Sequence, residues 1–304
     1  MDVVFQGRVI RAQSRRFTVL GDNGPVLALV PKRLRFEHPG WVDPVAVGDD
    51  VEAVQKSSEA LIQRVLPRRN LLARRALGGT KRQLLAANVD RAVIVLAAAE
   101  PEWKAATLDR YLVLASVSDI SPLVWVNKSD LVSGIPDMDL LDWYRTADIS
   151  VLCGSAASGE GVGELLQHLA GQTAVFIGPS GAGKSSLVNR LVPDATARVG
   201  EVSASSGKGT HTTTWVQMHD LPEGGHVIDG PGLRTLDLSD VAVGALAGHF
   251  PEMAALSGEC RFPDCAHLSE PECAIKDAVA SGHIAPHRYD SYRRIYESLT
   301  RGAG

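Results

Sequence analysis

The sequence predicts an α/β protein, in which a doubly wound parallel sheet is flanked by an N-terminal β-barrel and a mainly helical, metal-binding C-terminal segment. Three observations favour this fold class. The middle of the chain alternates buried, strand-like apolar runs with helical patterns, as in sheets covered by helices on both faces. The first 67 residues contain five short β-rich runs. Three of the four cysteines fall in one window with a histidine near the C-terminus.

The composition is that of a globular protein with an uneven distribution of charge. Of the 304 residues, 45% are hydrophobic and 22% are charged, which excludes wholesale disorder, a collagen-like repeat and a disulfide-dense scaffold. Residues 1–75 carry 13 Lys and Arg against 8 Asp and Glu, whereas the remainder carries 18 against 27. The basic first segment predicts a polyanionic partner, although a solvated charged face explains the charge equally well.

The sequence also bears on location and assembly. The longest strongly apolar run, residues 92–99, is far too short to span a bilayer, and the first residues have no apolar signal core. We therefore expect a cytoplasmic protein with no membrane partner. Nothing in the sequence demands a dimer, so we expect a monomer.

Residues 1–67 are predicted to form the barrel. Five short strands in this length suit an OB-fold, and the same pattern fits an SH3-like barrel. Basic residues are interspersed among the strands, as expected of a surface that binds a polyanion. The β-rich runs are residues 7–10, 17–20, 26–30, 51–54 and 61–65.

Residues 68–240 are predicted to form the doubly wound domain, and residues 241–304 the metal-binding C-terminal domain. The C-terminal part is short of strand signals and ends in an amphipathic stretch, residues 286–299. In the middle domain, the strand-like runs are residues 92–99, 122–126, 150–153, 174–177 and 226–228, and the helical patterns are 108–116, 163–169 and 186–191.

A glycine-rich segment fits the phosphate-binding pattern G-x-x-x-x-G-K-[ST] at every position, with a predicted strand before it and a helix after it. Backbone amides in such a loop wrap a phosphate at the helix N-terminus. Lys184 is predicted to bridge the β- and γ-phosphates as a catalytic group, and Ser185 to bind Mg²⁺. The predicted nucleotide-binding residues here are Gly178, Pro179, Ser180, Gly181, Ala182, Gly183, Lys184, Ser185 and Ser186.

Two further segments predict that the base is guanine. Asn127, Lys128 and Asp130 form N-K-x-D after a buried strand. The Asp130 carboxylate can accept from both N1–H and the 2-amino group of guanine, while Asn127 contributes to the base edge and the Lys128 stem covers the base. Ser155 and Ala156 follow the next strand, where a backbone amide can donate to guanine O6.

Residues after the P-loop predict the magnesium shell and a mobile switch. Asp229 begins a D-x-x-G motif at a strand end, so its carboxylate can hold the Mg²⁺ shell while the Gly232 amide contacts the γ-phosphate. Thr210-His211-Thr212-Thr213-Thr214 lies in a polar stretch between the P-loop and Asp229. In GTPases, this region contains the switch that supplies a threonine ligand to Mg²⁺. The pattern does not determine which threonine has this role.

The order of these motifs is unusual, because N-K-x-D and S-A precede the P-loop. The GTPase domain is therefore predicted to be circularly permuted, which a fold tolerates when its original termini lie close together. Leu233 occupies the position where a water-orienting glutamine is usual in GTPases, and leucine cannot orient water. Turnover by the protein alone is therefore predicted to be slow.

Cys260, Cys265, His267 and Cys273 have the spacing C-x4-C-x-H-x5-C. Three thiolates and an imidazole can close a tetrahedral structural Zn²⁺ site with no open position. Buried cysteines that act as small hydrophobic residues are the alternative.

The chain resembles the RsgA (YjeQ) family of GTPases that depend on the small ribosomal subunit. Besides the permuted motifs, the resemblance rests on Pro67-Arg68-Arg69-Asn70, Asn88-Val89-Asp90, Leu108-Asp109-Arg110-Tyr111-Leu112 and His211-Thr212-Thr213-Thr214.

The resemblance implies an OB-fold barrel, one structural Zn²⁺ and Mg²⁺ bound with GTP. It also implies a GTPase that cycles between GTP and GDP, contacts the small ribosomal subunit and its rRNA, and is stimulated by that subunit during its late maturation. Thr213 would be the switch threonine that binds Mg²⁺, and both Thr213 and His211 would be catalytic residues.

Four other functions fit parts of the pattern. They are a different P-loop enzyme such as an ATPase or kinase, a nucleotide-gated RNA-binding protein, a GTPase with a non-ribosomal partner, and a GTPase for zinc delivery. Asn127 and Asp130 argue against the first, and a closed four-ligand site argues against the last.

Overall fold

The computed structural model describes residues 3–13, 15–76, 79–192, 215–230, 233, 238 and 241–301. Within these ranges, eleven strands form one sheet and two form a separate hairpin. The strands are β1 Val3–Gln13, β2 Arg16–Gly21, β3 Gly24–Leu29, β4 Asp50–Lys56, β5 Glu59–Val65, β6 Leu71–Arg75, β7 Arg82–Ala87, β8 Arg91–Ala97, β9 Ser121–Asn127, β10 Ser150–Cys153, β11 Thr173–Ile177, β12 Trp215–Asp220 and β13 His226–Asp229.

Helices cover the middle sheet and dominate the C-terminal part of the described chain. None of the helices in the described ranges is both long and apolar enough to cross a bilayer. The α-helices are α1 Lys32–Glu37, α2 Ala105–Val117, α3 Met138–Thr146, α4 Val162–Leu169, α5 Lys184–Leu191, α6 Pro251–Ala254, α7 Ala274–Ala280 and α8 Pro286–Arg301, and short 3₁₀ turns span Ser129–Leu131, Val243–His249 and Ser257–Glu259.

The N-terminal strands close into the predicted OB-type barrel. Their order is β1-β2-β3-β5-β4, and β4 returns to pair with β1. The β3–β5 pair is parallel, whereas the other pairs are antiparallel. Alternate side chains, among them Val9, Val19 and Ile62, point inward and are fully buried. This closure is that of a five-stranded Greek-key barrel and resolves the choice left open by the sequence in favour of the OB-fold.

The middle of the chain forms the predicted doubly wound sheet. Strands β10, β9, β8, β11 and β13 are parallel neighbours in that order. Both faces are covered, and two groups of fully buried side chains, one including Ile94 and the other Val95, lie on opposite sides of β8. The carboxyl ends of β9, β10, β11 and β13 meet at one edge, which is where ligands bind in such sheets.

Strand β12 joins the two sheets and was not predicted from the sequence. Its sequence, WVQMHD, lacks the continuous apolar run that marks the strands predicted in the middle domain. One edge of β12 pairs with β13, and its other edge pairs with β1 of the barrel through Trp215, Val216 and Gln217. The barrel is thereby hydrogen-bonded directly to the middle sheet.

The residues around Asn70 fasten the barrel to the middle domain. Arg68 binds the buried Asp49 carboxylate of the barrel through two nitrogens, at 2.6 and 2.7 Å. The Asn70 side chain exchanges two hydrogen bonds with the backbone of Val89, at 2.6 and 2.9 Å. Asn88 donates from its side chain to the Gly48 carbonyl at 2.9 Å. Two of the sequence motifs behind the family resemblance therefore act on each other, as structural contacts between domains.

A buried charge network docks the C-terminal helices on the middle domain. The Arg288 guanidinium binds Asp109 of α2, and it binds both oxygens of Glu252 at 2.6 and 3.1 Å. Tyr144 donates to the same Asp109 carboxylate at 2.9 Å. Burial raises the pKa of Asp109 even though Arg288 opposes the shift, and the two carboxylates raise the pKa of Arg288 against the effect of its burial. The guanidinium also lies over the rings of Tyr144 and Phe250.

Candidate functional site

The glycine-rich loop lies at the carboxyl end of β11, as predicted. Every residue of β11 is buried, so the chain leaves the sheet at a fixed point. Gly178 and Gly183 have φ angles of 140° and 93°, a region that side chains rarely adopt. A Cβ at Gly183 would also collide with the Asn127 amide group. Helix α5 begins at Lys184 immediately after the loop. This is the loop-and-helix arrangement that binds phosphate.

The Lys184 side chain folds back across the loop. Its ammonium donates to the carbonyls of Gly178 and Pro179, at 2.7 and 2.6 Å. The residue is 8% exposed, so its charge is held inside the loop. Ser185 and Ser186 follow on the exposed first turn of α5. The cation and the helix N-terminus therefore face the same small volume.

Asn127 connects the phosphate side of the site with the base side. Its side-chain nitrogen donates to the Ala182 carbonyl in the glycine-rich loop at 2.9 Å. Its side-chain oxygen accepts from the Ala156 amide at 2.9 Å. The residue is buried, so both bonds are shielded from water. Asn127 was predicted to contribute to the base edge; here its amide group fastens three separate chain segments together.

The next two predicted base-binding residues lie at the end of β9. Lys128 adopts a left-handed conformation, and its ammonium donates to the Glu100 carbonyl. Asp130 lies in the 3₁₀ turn Ser129–Leu131 with an exposed side chain. No hydrogen bond or ion pair to the described residues engages its carboxylate, which leaves it available to a ligand.

The loop after β10 is tightly organised. The buried Ser155 hydroxyl accepts from the amides of Ala157 and Ser158, both at 3.1 Å. The Ser155 amide donates to the Glu160 carbonyl at 3.0 Å, and Arg190 of α5 donates to the Ala157 carbonyl at 3.2 Å. Sequence reasoning missed Glu160 and Arg190, because neither residue belongs to a recognisable motif.

The magnesium side of the site is described only in part. Asp229 ends β13 at the same sheet edge, partly exposed, and pairs in register with Gln217. Leu233 is 3% exposed and packs in the core, so it leaves the water-orienting position without a polar group. The predicted residues His211, Thr213 and Gly232 lie outside the described residues.

The predicted metal ligands come together in the C-terminal part of the chain. The ligand atoms of Cys260, Cys265, His267 and Cys273 all lie within 4.8 Å of one another. His267 Nδ1 is 3.4 Å from the Cys260 sulfur and 3.5 Å from that of Cys273, and these two sulfurs are 3.9 Å apart. With Zn–S and Zn–N bonds of about 2.3 and 2.0 Å, a tetrahedral site requires S–N and S–S separations of about 3.5 and 3.8 Å. The residues therefore fit a structural zinc ion.

The donor set has the chemistry of a structural metal site, and α8 holds its loop in place. Burial raises the pKa of the Cys265 thiol to about 11 when no cation is bound. Burial lowers the pKa of His267, which keeps its imidazole neutral. A metal ion stabilises thiolate and neutral imidazole together. Tyr289 and Tyr292 of α8 donate to the carbonyls of His267 and Ala266, both at 2.7 Å, and so hold the loop in place.

Zinc is the metal that we expect at this cluster, and its removal is then expected to loosen the C-terminal helices. The loop whose carbonyls accept from Tyr289 and Tyr292 would lose the metal bonds that organise it. Metal analysis before and after chelation, with hydrogen exchange over α8, measures this effect. Cys265→Ser should release the metal. Cys153→Ser, at the cysteine outside the cluster, should retain it. Less than half an equivalent of zinc in well-folded protein would contradict the assignment.

A P-loop, an N-K-x-D segment and an S-A segment that meet at one edge of a doubly wound sheet define a GTPase. Because the two base-binding segments precede the P-loop in the chain, this GTPase is of the circularly permuted type.

Comparisons with known proteins agree with this class. The model of the RsgA GTPase family matches residues 65–239. The small ribosomal subunit biogenesis GTPase RsgA of Haemophilus influenzae is 40% identical over 84% of this chain and 76% of its own length. Its counterpart in Burkholderia mallei is 39% identical over 97% and 93%. The chain therefore belongs to the RsgA GTPase family.

Solved structures give the same picture for the fold. The crystal structure of YjeQ from Thermotoga maritima matches with a TM-score of 0.75 and 30% identity, over 98% of this chain and 99% of that one. The crystal structure of YloQ, described as a circularly permuted GTPase, matches with a TM-score of 0.74 and 26% identity, over 98% and 96%.

Proposed function

We propose that this chain hydrolyses GTP in the service of small ribosomal subunit biogenesis and that the subunit itself stimulates the reaction. One observation supports the guanine-specific part: Asn127 ties N-K-S-D to both the P-loop and the S-A loop, so that Asp130 extends from a fixed frame. The names of the relatives in Haemophilus influenzae and Burkholderia mallei support the ribosomal part.

The proposed roles follow from chemistry at each position. Asp130 accepts from the guanine edge, Lys128 covers the base, and the Ala156 region meets O6. The loop from Gly178 to Ser186 holds the phosphates, and Lys184 moves from its backbone partners to the β- and γ-phosphates when nucleotide enters.

Mg²⁺ would be held by Ser185, Asp229 and Thr213, and it supplies charge neutralisation at the phosphates. Gly232 would contact the γ-phosphate. His211 is proposed to assist the attacking water only when the partner is bound. Leu233 supports slow turnover in isolation, because its buried aliphatic side chain cannot orient water.

Two segments brought together by the fold form the proposed rRNA-binding face. Residues 8–21 carry four arginines and no acidic residue, and residues 70–89 carry three arginines and one lysine and again no acidic residue. Arg15 and Gln83 line the same cavity of about 210 Å³ between barrel and hairpin, so the segments are adjacent. Asp43, which also lines this cavity, is paired with Arg35 at 2.9 Å. Such a face attracts phosphates with a strong dependence on salt.

The remaining proposals concern organisation. The chain is proposed to contain an rRNA-binding barrel (1–67), a GTPase domain (68–240) and a zinc domain (241–304). It is also proposed to act as a cytoplasmic monomer. The zinc site would be structural, because four protein ligands leave no open position for exchange.

The test measures GTP turnover by the protein alone, with purified small subunits and with purified large subunits. We expect slow turnover that only small subunits raise. The double variant Arg15→Glu/Lys81→Glu, at two exposed positions of the basic face, should lose most of the stimulation and keep the unstimulated rate. Equal turnover in all three samples would contradict the proposal of a ribosomal partner. Full stimulation of the double variant would contradict the proposed rRNA-binding face.

A further inference from the structure

Glu160 connects the two segments that are proposed to recognise guanine. Its carboxylate accepts from the Ser129 hydroxyl at 2.9 Å, and Ser129 directly precedes Asp130. Its backbone carbonyl accepts from the Ser155 amide at 3.0 Å. One residue thus holds the segment that carries Asp130 through its side chain and the S-A segment through its backbone.

The backbone around Glu160 fixes the place from which its side chain extends. Gly159 and Gly161 on either side have φ angles of 92° and 71°, and a Cβ at Gly161 would meet the Cys153 carbonyl at 2.5 Å. The Gly159 amide donates to the Ser155 carbonyl at 2.9 Å. The Glu160 backbone is therefore held in a closed turn, from which its exposed side chain reaches the Ser129 hydroxyl.

Ser129 is in turn held at two points. Its amide donates to the Gly154 carbonyl at 3.1 Å, and its hydroxyl donates to Glu160. The residue begins the 3₁₀ turn that contains Asp130. Because Ser129 is fixed through both its backbone and its side chain, the Asp130 side chain leaves the backbone in a defined direction. The Asp130 carboxylate has no described protein partner of its own, so its aim depends on this frame.

We propose that Glu160 is a positioning residue for guanine specificity, which acts by orienting Asp130 through Ser129. This inference rests on the proposed guanine site and adds to it a residue that belongs to neither recognition motif. Its chemical consequence is specific. A less well oriented Asp130 makes a weaker bond to the 2-amino group of guanine. It therefore distinguishes guanine less well from hypoxanthine, which lacks that amino group.

The experiment compares the affinities of GDP and inosine diphosphate for the full chain by calorimetry. In Glu160→Ala, GDP binding should weaken about fivefold, or about 1 kcal/mol at 1.4 kcal/mol per tenfold, while inosine diphosphate binding changes little. The ratio of the two affinities should therefore fall. A general loss of folded protein would weaken both nucleotides equally and leave the ratio unchanged.

Four further variants separate the hydrogen bond from other effects. Ser129→Ala should reproduce Glu160→Ala, and the double variant should be no worse than either single one, because all three lack the same bond. Glu160→Gln keeps an acceptor oxygen and should stay within about twofold of the parent ratio. Glu164→Ala removes an exposed acid from the neighbouring helix and should leave the ratio unchanged.

An unchanged ratio in Glu160→Ala, additive losses in the double variant, or a Gln variant as poor as the Ala variant would each overturn the proposal. The Asp130→Asn variant distinguishes a failure of this proposal from a failure of the guanine assignment itself. If Asp130→Asn shifts preference from GDP to xanthosine diphosphate while Glu160→Ala keeps its ratio, only the role of Glu160 is lost. If Asp130→Asn shifts nothing, the guanine assignment itself is wrong.

Discussion

Replacement of Lys184 by alanine is expected to lower GTP turnover by about two to three orders of magnitude. Lys184 is the buried cation of the glycine-rich loop, and its ammonium lies between two backbone carbonyls that it can exchange for phosphate oxygens. In phosphoryl transfer the protein contributes mainly position and charge, so the loss of a cation at the β- and γ-phosphates acts directly on the barrier.

The measurement is single-turnover GTP hydrolysis at saturating nucleotide, together with GDP affinity. Lys32→Ala, an exposed lysine on the barrel helix α1, serves as the matched control and should retain the parent rate without subunits. Small subunits should not rescue Lys184→Ala, because a partner acts on a site that already holds the phosphates. A variant that keeps more than about a tenth of the parent rate would show that Lys184 is not the phosphate-binding cation.

Replacement of Arg288 by methionine is expected to lower the free energy of unfolding by about 3–5 kcal/mol. The guanidinium is the shared partner of Asp109 and Glu252, and the Asp109 side chain is fully buried. Methionine is similar in length and fills much of the space, but it leaves a buried carboxylate without a cation. The uncompensated charge, rather than lost packing, dominates the expected effect.

Urea unfolding of the whole chain measures this loss. Arg301→Met is the matched control on the same helix, because its partner Glu297 is one turn away and both side chains are exposed. Its loss should stay below about 0.5 kcal/mol. Asp109→Asn/Arg288→Met, which removes both formal charges of the central pair, should recover part of the stability lost in Arg288→Met. If Arg288→Met and Arg301→Met were equally mild, the buried network would not fasten the C-terminal helices.

Local motifs made it predictable that four segments of the candidate site meet. The P-loop, N-K-S-D, S-A and Asp229 each follow a strand, and parallel strands bring their carboxyl ends to one edge. Knowledge of each strand was therefore enough to predict that the motifs meet. The Cys and His spacing predicted the ligand cluster for the same reason, since all four residues lie within 14 positions.

Contacts between distant segments were not predictable. Arg288 and Asp109 are 179 residues apart, and nothing in the sequence around either residue indicates the other as its partner. The hairpin β6–β7, helix α3 and strand β12 were also missed, because their polar and apolar residues do not follow a clear period. The role of Asn127 in the structure differs from its predicted role at the base edge for a related reason. Its two hydrogen-bond partners lie 55 and 29 positions away in the sequence.

The pairing between β12 and β1 has a consequence for the solubility of the middle domain by itself. A chain that began at residue 68 would lack β1, and the edge of β12 from Trp215 to Gln217 would face solvent. Unpaired edges of this kind recruit strands from other molecules, and proteins commonly cover them. The barrel therefore covers that edge, in addition to its proposed role in binding RNA. Shortened versions of the protein are expected to stay soluble only if they retain β1 or carry a charged substitution on the exposed edge.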